Sequence, residues 1–257
     1  MSERQSLSEL PAAVTIPTLE LPTEDGIPLE SPWHRAEINL LIDVTRTYWH
    51  DRTDFYTGGN MFIYFSLVQA RQRDYRGPDF FIVTDVDGRY QRDAWVVWEE
   101  NGRYPDLIIE LLSPSTADVD KTVKKTLYER TFRTSEYYCY DPASQELSGW
   151  HLQGQQYVPL TPGPHGRLWS HVLQLWLGTY EGVFLREEGI WLRFFDHEGQ
   201  IVPTAEESVR TQAEAEHQRA EAERQRAEAE RQRAEAAEAE LTRLRARPAA
   251  LEGPQPG

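Results

Sequence analysis

The sequence holds 257 residues, enough for one good-sized domain plus an appendage, and its 8 Trp, 12 Tyr and 9 Phe can furnish a substantial core. The formal net charge is −15; twelve Glu and nine Arg from residue 205 onward contribute −3, so residues 1–204 carry −12. Such an acidic body argues against tight, sequence-blind binding of nucleic acid. It does not exclude nucleic acid as a substrate, because acidic clusters that hold metal ions add to the same charge.

Cysteine content and hydropathy indicate the compartment. The single cysteine, Cys139, excludes an intramolecular disulfide and fits a reducing environment. The first 26 residues show no apolar signal-peptide core, and no later segment approaches the ~18 apolar residues of a membrane span. We therefore expect a soluble cytoplasmic protein without a membrane partner.

The first third of the chain predicts a lead-in, a helix and three strands. Residues 1–30 are rich in Pro, Thr and Glu and predict a flexible segment. Ser31 is a good helix cap and Pro32 suits the first turn, so a helix is predicted from there through Trp49. Strand-like segments follow at 59–68, 77–86 and 94–100, separated by turns that contain Gly, Asp or Arg.

The most informative strand lies within residues 104–116, which read YPDLIIELLSPST. Its apolar run covers both faces, as is typical of a strand buried in a sheet, and consists of Leu107, Ile108, Ile109, Leu111 and Leu112. Glu110 interrupts the run. An isolated carboxylate there would cost several kcal/mol or would retain its proton at neutral pH. The sequence therefore predicts a partner for Glu110.

The elements after this strand complete a mixed α/β domain. A helix is predicted over 118–132, with Val119, Val123 and Leu127 as its core-facing stripe. The strands EYYCYDP and LSGWHL follow, and then shorter strands and hairpins up to about residue 204. This order indicates one domain over residues 31–204.

The C-terminal part has a different pattern. Within residues 205–247 the segment RAEAERQ repeats every seven residues, which predicts a charged helix. The face that would contact a partner helix is formed by residues alternately three and four positions apart. Before Leu241 and Leu244 it holds only Gln and Ala, so a solitary helix and a weak coiled coil both remain open. Residues 248–257 are predicted to be disordered.

The predicted partner of Glu110 is a second carboxylate on a neighbouring strand. Alternation places Asp106 on the same face as Glu110 but ~13 Å away along the strand. The two carboxylates are therefore too far apart to bind the same ion. Asp79, at the start of the apolar strand GPDFFIV, can project from an adjacent strand. Two carboxylates with several waters are a usual Mg²⁺ site. Taken singly, Asp79 and Asp106 are also ordinary turn residues at a strand entrance.

A lysine completes the constellation. Lys124 flanks the predicted stripe and is placed to reach back over the end of the preceding strand, whereas Lys121 and Lys125 point nearly opposite, into water. A metal ion polarises a phosphoryl oxygen and generates hydroxide, and an ammonium stabilises the charge that develops. The set therefore predicts hydrolysis at a phosphate.

Three segments together carry a family resemblance: GPDFFIV, PDLIIELLSPST and DKTVKKTLYERTFRTSEYYCYDP. Over roughly residues 30–185 they resemble the Uma-two family of endonucleases, a branch of the PD-(D/E)XK restriction-endonuclease-like superfamily. The resemblance implies a mixed sheet flanked by helices and cleavage of phosphodiesters, with DNA expected as substrate and Mg²⁺ or Mn²⁺ as cofactor.

The resemblance also assigns roles to individual residues. It implies that Asp79 is the first acidic ligand of the metal and Glu110 the second. The superfamily position for lysine, two residues after Glu110, holds Leu112, and the family moves the lysine to the helix, at Lys124. His34 also matches a family position, which implies that it helps at the site, although a lone histidine on an amphipathic helix is more often structural. Asp106 is expected to support the site.

Three functional interpretations stay open at this point. The first is a metal-dependent endonuclease, which the acidic pair and the lysine favour. The second is a catalytically silent nuclease fold whose 205–245 helix binds a protein partner or a second copy, which the acidic body and the long tail favour. The ligands alone also fit a phosphatase or another metal hydrolase.

Overall fold

The computed structural model describes residues 21–23, 31–72 and 76–245. Most of the predicted lead-in, residues 1–30, and all of the predicted disordered end, residues 248–257, lie outside these ranges. The chain divides into two compact units, Met1–Ile201 and Val202–Gly257.

Helix α1 (Pro32–Tyr48) opens the first unit and begins as predicted. The Ser31 side chain accepts a hydrogen bond from the His34 amide N–H (3.3 Å), and proline occupies the first turn. Its apolar face is buried and packs on the main sheet, where a Cβ added at Gly59 would lie 2.4 Å from Ile38 Cγ2. The capping prediction is confirmed.

Two short strands and a short helix occupy the region around the strand predicted over residues 59–68. Strand β1 (Phe55–Gly59) is followed by β2 (Ile63–Tyr64) and helix α2 (Leu67–Gln72). The predicted strand over 59–68 is therefore wrong over most of its length, because only Gly59 and the two residues of β2 lie in strands and β1 begins before the predicted range. Ser66 accepts the Gln69 amide N–H (3.1 Å) and so turns the chain into a helix.

Six strands form the main sheet, in the spatial order β1-β3-β5-β6-β7-β8. The additional strands are β3 (Phe80–Thr84), β5 (Leu107–Leu111), β6 (Glu136–Asp141), β7 (Glu146–Gln153) and β8 (Gln156–Pro159). Strands β5 and β6 pair in parallel and the other neighbours are antiparallel. The sheet is thus mixed, as predicted. The predicted strand over 94–100 shrinks to β4 (Trp95–Val96), which pairs with β2.

The helix that joins β5 to β6 contains two π-helical turns. It runs through α3 (Ala117–Val119), a π turn (Asp120–Lys124), α4 (Lys125–Leu127) and a second π turn (Tyr128–Phe132), and is called the 117–132 helix below. A parallel strand pair requires such a crossover.

The predicted core stripe of this helix is wrong at Val119 and Val123, whereas Leu127 is partly buried against the core. Val119 is 44% exposed and Val123 55%, whereas Asp120, Tyr128 and Phe132 are buried. Residues four apart drift by about 40° per step in an α-helix. The wider π turns offset this drift and keep the four-residue spacing on one face. The predicted stripe has the same four-residue spacing but is one residue out of phase with the buried side chains, so Val119 and Val123 face outward.

A second, three-stranded antiparallel sheet completes the first unit. It comprises β9 (Leu168–Ser170), β10 (Leu175–Phe184) and β11 (Glu187–Phe195), the last two forming a long hairpin in the region where hairpins were predicted. Buried Glu136 ties this part to the main sheet, because its carboxylate accepts the Ser170 hydroxyl (2.5 Å) and the His171 amide N–H (2.6 Å).

Helix α5 (Ala205–Arg245) forms most of the second unit and confirms the predicted helix. A capping box starts it: Thr204 Oγ1 accepts the Glu207 amide N–H (3.1 Å) and Glu207 Oε2 accepts the Thr204 amide N–H (2.7 Å). None of its 41 residues is buried. The two possibilities for this helix, a solitary helix and a weak coiled coil, both stay predictions. Across the described ranges no helix combines the length and apolarity of a transmembrane segment.

Candidate active site

The buried glutamate that interrupts the apolar strand lies beside Asp79. Antiparallel register pairs Phe80 of β3 with Ile109 of β5, so the residue before β3 comes level with Glu110. The Asp79 amide N–H donates to Glu110 Oε2 (3.4 Å), and the Leu111 amide N–H donates to Asp79 Oδ2 (2.7 Å). The predicted pair of carboxylates from adjacent strands is therefore present.

The lysine of the 117–132 helix reaches the same point. Lys124 Nζ lies 3.1 Å from Glu110 Oε2 and 2.8 Å from Asp120 Oδ1. The Lys124 side chain is 18% exposed, against 0% for Glu110 and 1% for Asp120. The structure thus brings Asp79, Glu110 and Lys124 together, although the helical stripe used to place the lysine was wrong.

Two further residues of the cluster were missed by the sequence analysis. Asp120 lies one turn before Lys124 and pairs with its ammonium. Tyr128 donates its hydroxyl to Glu110 Oε1 (2.8 Å). A signal for both was present in the sequence, since Asp120, Lys124 and Tyr128 recur every four residues. Tyr137 donates its hydroxyl to the Asp120 carbonyl oxygen (2.9 Å) and so holds the π turn.

Burial shifts the protonation of the cluster. Desolvation, with smaller contributions from the nearby Asp79 and Asp120 carboxylates, raises the pKa of Glu110 to about 8 against the pull of Lys124. Burial also raises the pKa of Asp79 to about 6, although Lys124 opposes it. Burial lowers the pKa of Lys124, but the Glu110 and Asp120 carboxylates outweigh this and hold it above its usual value. The lysine is therefore an ammonium at neutral pH.

The cluster contains fewer positive charges than negative ones. Fully ionised, the three carboxylates of Asp79, Glu110 and Asp120 face one ammonium, which leaves two negative charges largely shielded from water. Such charges are costly unless they are paired, so the cluster retains a proton at neutral pH. A divalent cation carries the charge that is missing, and carboxylate oxygens are the ligands that Mg²⁺ and Mn²⁺ prefer.

The donor set is small. In the part of the chain that the structure describes, no group of three or more His, Cys, Asp or Glu side chains is placed to hold a metal ion. A cation here would therefore rest on the Asp79–Glu110 pair and on water, which is within the usual range for Mg²⁺. The residues present fit a weakly held hard cation better than a closed structural metal site.

The two supporting residues suggested by the resemblance lie away from this cluster. Asp106 precedes β5 at its other end, where its Oδ2 accepts the Thr84 amide N–H (2.7 Å) and hydroxyl (2.8 Å) and lies 3.2 Å from Arg103 Nη2. The structure does not bring Asp106 to Glu110.

His34 belongs to α1, on the other face of the sheet from Glu110. Helix α1 packs on the face that carries Gly59 and Phe80, and the strand register places Glu110 on the opposite face. The His34 Nδ1 lies 2.8 Å from Ser31 Oγ. This contact belongs to the start of the helix, so the local geometry gives His34 a structural role.

Comparison with known proteins places the chain in a family. The sequence profile described as "Uma2: Putative restriction endonuclease" matches residues 14–179, a span that contains the whole cluster. Among solved structures, a protein from Anabaena variabilis ATCC 29413, described as "a putative nuclease belonging to DUF820", is similar at 18% identity and a TM-score of 0.37, covering 53% of this chain and 75% of that chain. No curated protein matches. Because the profile match spans more than half of the sequence, the chain belongs to the Uma2 family of restriction-endonuclease-like proteins.

Proposed function

We propose that this protein is an endonuclease that hydrolyses phosphodiester bonds in nucleic acid with the help of Mg²⁺ or Mn²⁺, and that DNA is its substrate. Family membership supports nuclease activity on nucleic acid. The finer proposal depends on one observation, the cluster in which the carboxylates of Asp79, Glu110 and Asp120 outnumber the Lys124 ammonium by two charges.

Asp79 and Glu110 are the residues that would hold the cation. When bound, a divalent cation polarises a phosphoryl oxygen and lowers the pKa of a water molecule. The chain orients both carboxylates for this task. Leu111 fixes Asp79 through its amide, and Tyr128 fixes Glu110 through its hydroxyl.

Lys124 would stabilise the charge that develops on the phosphate. Its ammonium lies 3.1 Å from Glu110 Oε2, so it stands beside any group that Glu110 binds. Asp120 holds it from the other side at 2.8 Å. A charge fixed in advance within a site shielded from water is worth more than the same charge in solvent. Lys124 is therefore the residue whose loss should affect the rate most clearly.

The alternative is an interaction protein with a silent nuclease fold. The observation in its favour is α5, a 41-residue helix with no buried residue, which offers its whole length to a protein partner or a second copy. This alternative gives no account of the buried acidic cluster. We place the protein in the cytoplasm, where the single buried thiol of Cys139 would stay reduced.

Plasmid nicking tests the proposal. Supercoiled DNA with Mn²⁺ should be converted to open circles by the wild type and not by Lys124→Ala, because loss of one such electrostatic contact typically costs ~10²–10³ in rate. Lys121→Ala is the matched control, since Lys121 is exposed. Lys125 is a poorer control, because its Nζ lies 4.1 Å from the centroid of the Trp150 ring. Absence of metal-dependent cleavage of DNA and RNA by the wild type would favour the interaction protein.

A further inference from the structure

A second feature lies at the other end of β1 and β3 from Asp79. It is a cavity of about 380 Å³ between the end of α1, strand β1 and the loop after β3. Its wall combines arginines with aromatic rings, namely Arg46, Arg52, Arg89, Trp49, Tyr56 and Tyr90, and is called the arginine–aromatic cleft below. Among the described residues no carboxylate lines it. In a chain of net charge −15, such a lining is unusual.

The loop that forms one wall is pressed tightly onto β1. The Gly88 amide N–H donates to the Thr53 carbonyl oxygen (2.9 Å). A Cβ at Gly88 would lie 1.9 Å from the Phe55 carbonyl oxygen, so only glycine fits this approach. The cleft is therefore a built part of the fold rather than a gap beside a loose loop.

The exposed ring of Tyr90 is held in place by neighbouring side chains. The ring is 51% exposed, yet the Arg92 guanidinium lies 3.8 Å from its centroid and its hydroxyl lies 3.3 Å from Glu100 Oε1. Arg92 and Glu100 are themselves ion-paired at 2.5 Å, with side chains only 4% and 11% exposed. An exposed aromatic ring held in place is a platform on which unpaired bases stack.

The charges of the cleft are mostly balanced. Arg52 is paired with Asp54 (2.8 Å) and Arg89 with Asp87 (2.7 Å). Arg46 donates from Nε to the Thr57 hydroxyl (3.2 Å), and it forms no ion pair within the described part of the chain. One guanidinium is thus oriented by a neutral partner and available to an anion.

We propose that the arginine–aromatic cleft binds one unpaired nucleotide of single-stranded nucleic acid, with its base on Tyr90 and a neighbouring phosphate on Arg46. A base inside a duplex is stacked on its neighbours and cannot reach a protein ring, so the cleft selects unpaired strands. The proposal rests on the proposed function in that it names the substrate class of the same enzyme.

The cleft lies a short way along β1 from the acidic cluster. Thr57, at the cleft, precedes Gly59 by two residues, or about 7 Å along β1. Gly59 pairs with Phe80, the residue after Asp79. Thr57 and Gly59 belong to the face that packs against α1, whereas Glu110 is on the opposite face, so a strand held in the cleft has to pass around the edge strand β1 to reach the acidic cluster.

Binding without metal separates this proposal from the cleavage reaction. We would measure the fluorescence anisotropy of labelled oligothymidylate with the full-length protein in EDTA. Tyr90→Ala should weaken binding about tenfold, whereas Tyr90→Phe, which keeps the ring, should bind like the wild type. Arg46→Ala should lower the slope of log affinity against log salt by about 0.7, the value of one phosphate contact on a single strand.

Matched controls lie elsewhere on the first unit. Tyr180→Ala removes a ring that is 40% exposed on β10, and Arg35→Ala removes an exposed arginine near the start of α1. Both should bind oligothymidylate like the wild type. If they weaken binding as much as the cleft variants, the binding is diffuse and the proposal is overturned.

Three other results would also overturn the proposal: no binding of oligothymidylate by the wild type at low salt, unchanged binding in both Tyr90→Ala and Arg46→Ala, or tighter binding of a duplex of the same length. The two proposals fail separately. If binding depends on Tyr90 but no metal-dependent nicking occurs, the proposed nuclease activity is wrong and the proposed role of the cleft stands. If the protein nicks DNA but its binding does not depend on Tyr90, the nuclease activity stands and the role of the cleft is wrong.

Discussion

Replacement of Glu110 by glutamine should change how stability depends on pH. In the metal-free protein burial holds the pKa of the Glu110 carboxyl at about 8, while its ordinary value is 4.5. A folded-state pKa that is raised means that folding takes up a proton between these two values. The stability that comes from the protonated carboxyl is fully present below about pH 4.5 and is lost as the pH rises through about 8.

The size of the effect follows from the two pKa values. At about 1.4 kcal/mol per pH unit, the span from 4.5 to about 8 corresponds to on the order of 5 kcal/mol of unfolding free energy. At pH 7 roughly 3 kcal/mol of this is already lost. Asp79 titrates in the same cluster, so the two carboxyls share the effect. Glu110→Gln removes the titration and keeps the shape of the side chain.

Urea denaturation in EDTA at pH 5, 7 and 9 measures this directly. The wild type should lose stability steeply from pH 5 to 9, and Glu110→Gln should show a flatter profile and exceed the wild type at pH 9. Glu146→Gln, at an exposed position of β7, should follow the wild type. Parallel profiles for wild type and Glu110→Gln would refute the reasoning, because they would mean that Glu110 is not protonated by burial.

Three other predictions concern the cluster and the helices. Tyr128→Phe should lower unfolding free energy by about 1–3 kcal/mol, since it leaves a buried Glu110 oxygen without its donor, and equal urea midpoints would contradict it. Val123→Gln should change the free energy of unfolding by less than about 0.5 kcal/mol, because Val123 is 55% exposed. A loss as large as that of a core residue would mean that Val123 faces the core after all. Truncation after residue 204 should leave the Tm of the first unit within about 2 °C, as α5 buries no side chain; a larger drop in calorimetry would contradict this.

The sequence predicted the site better than it predicted the geometry that builds it. Glu110 in an apolar run required a compensating group, and this electrostatic requirement holds in any fold that buries the strand. Asp79 was then identifiable because it starts another apolar strand. The contacts of Asp79 and Lys124 with Glu110 agree with both arguments.

Other features depended on information that the sequence pattern does not carry. Periodicity assumes regular helices, so the π turns of the 117–132 helix, and with them the burial of Asp120, were not predictable from apolar spacing. Strand β4 is short because it pairs with only two residues of β2, a tertiary constraint. Asp106 lies on the same strand as Glu110 but at its far end, where Thr84 and Arg103 bind it.

The central claim is that Asp79 and Glu110 share a divalent cation, and calorimetric titration with Mn²⁺ tests it most directly. The wild type should show a binding event at neutral pH that is lost in Glu110→Ala and kept in Glu146→Ala. The cluster lacks two positive charges only when Glu110 is present, so this result follows from its charge balance. Equal heats of Mn²⁺ binding in wild type and Glu110→Ala would contradict the claim.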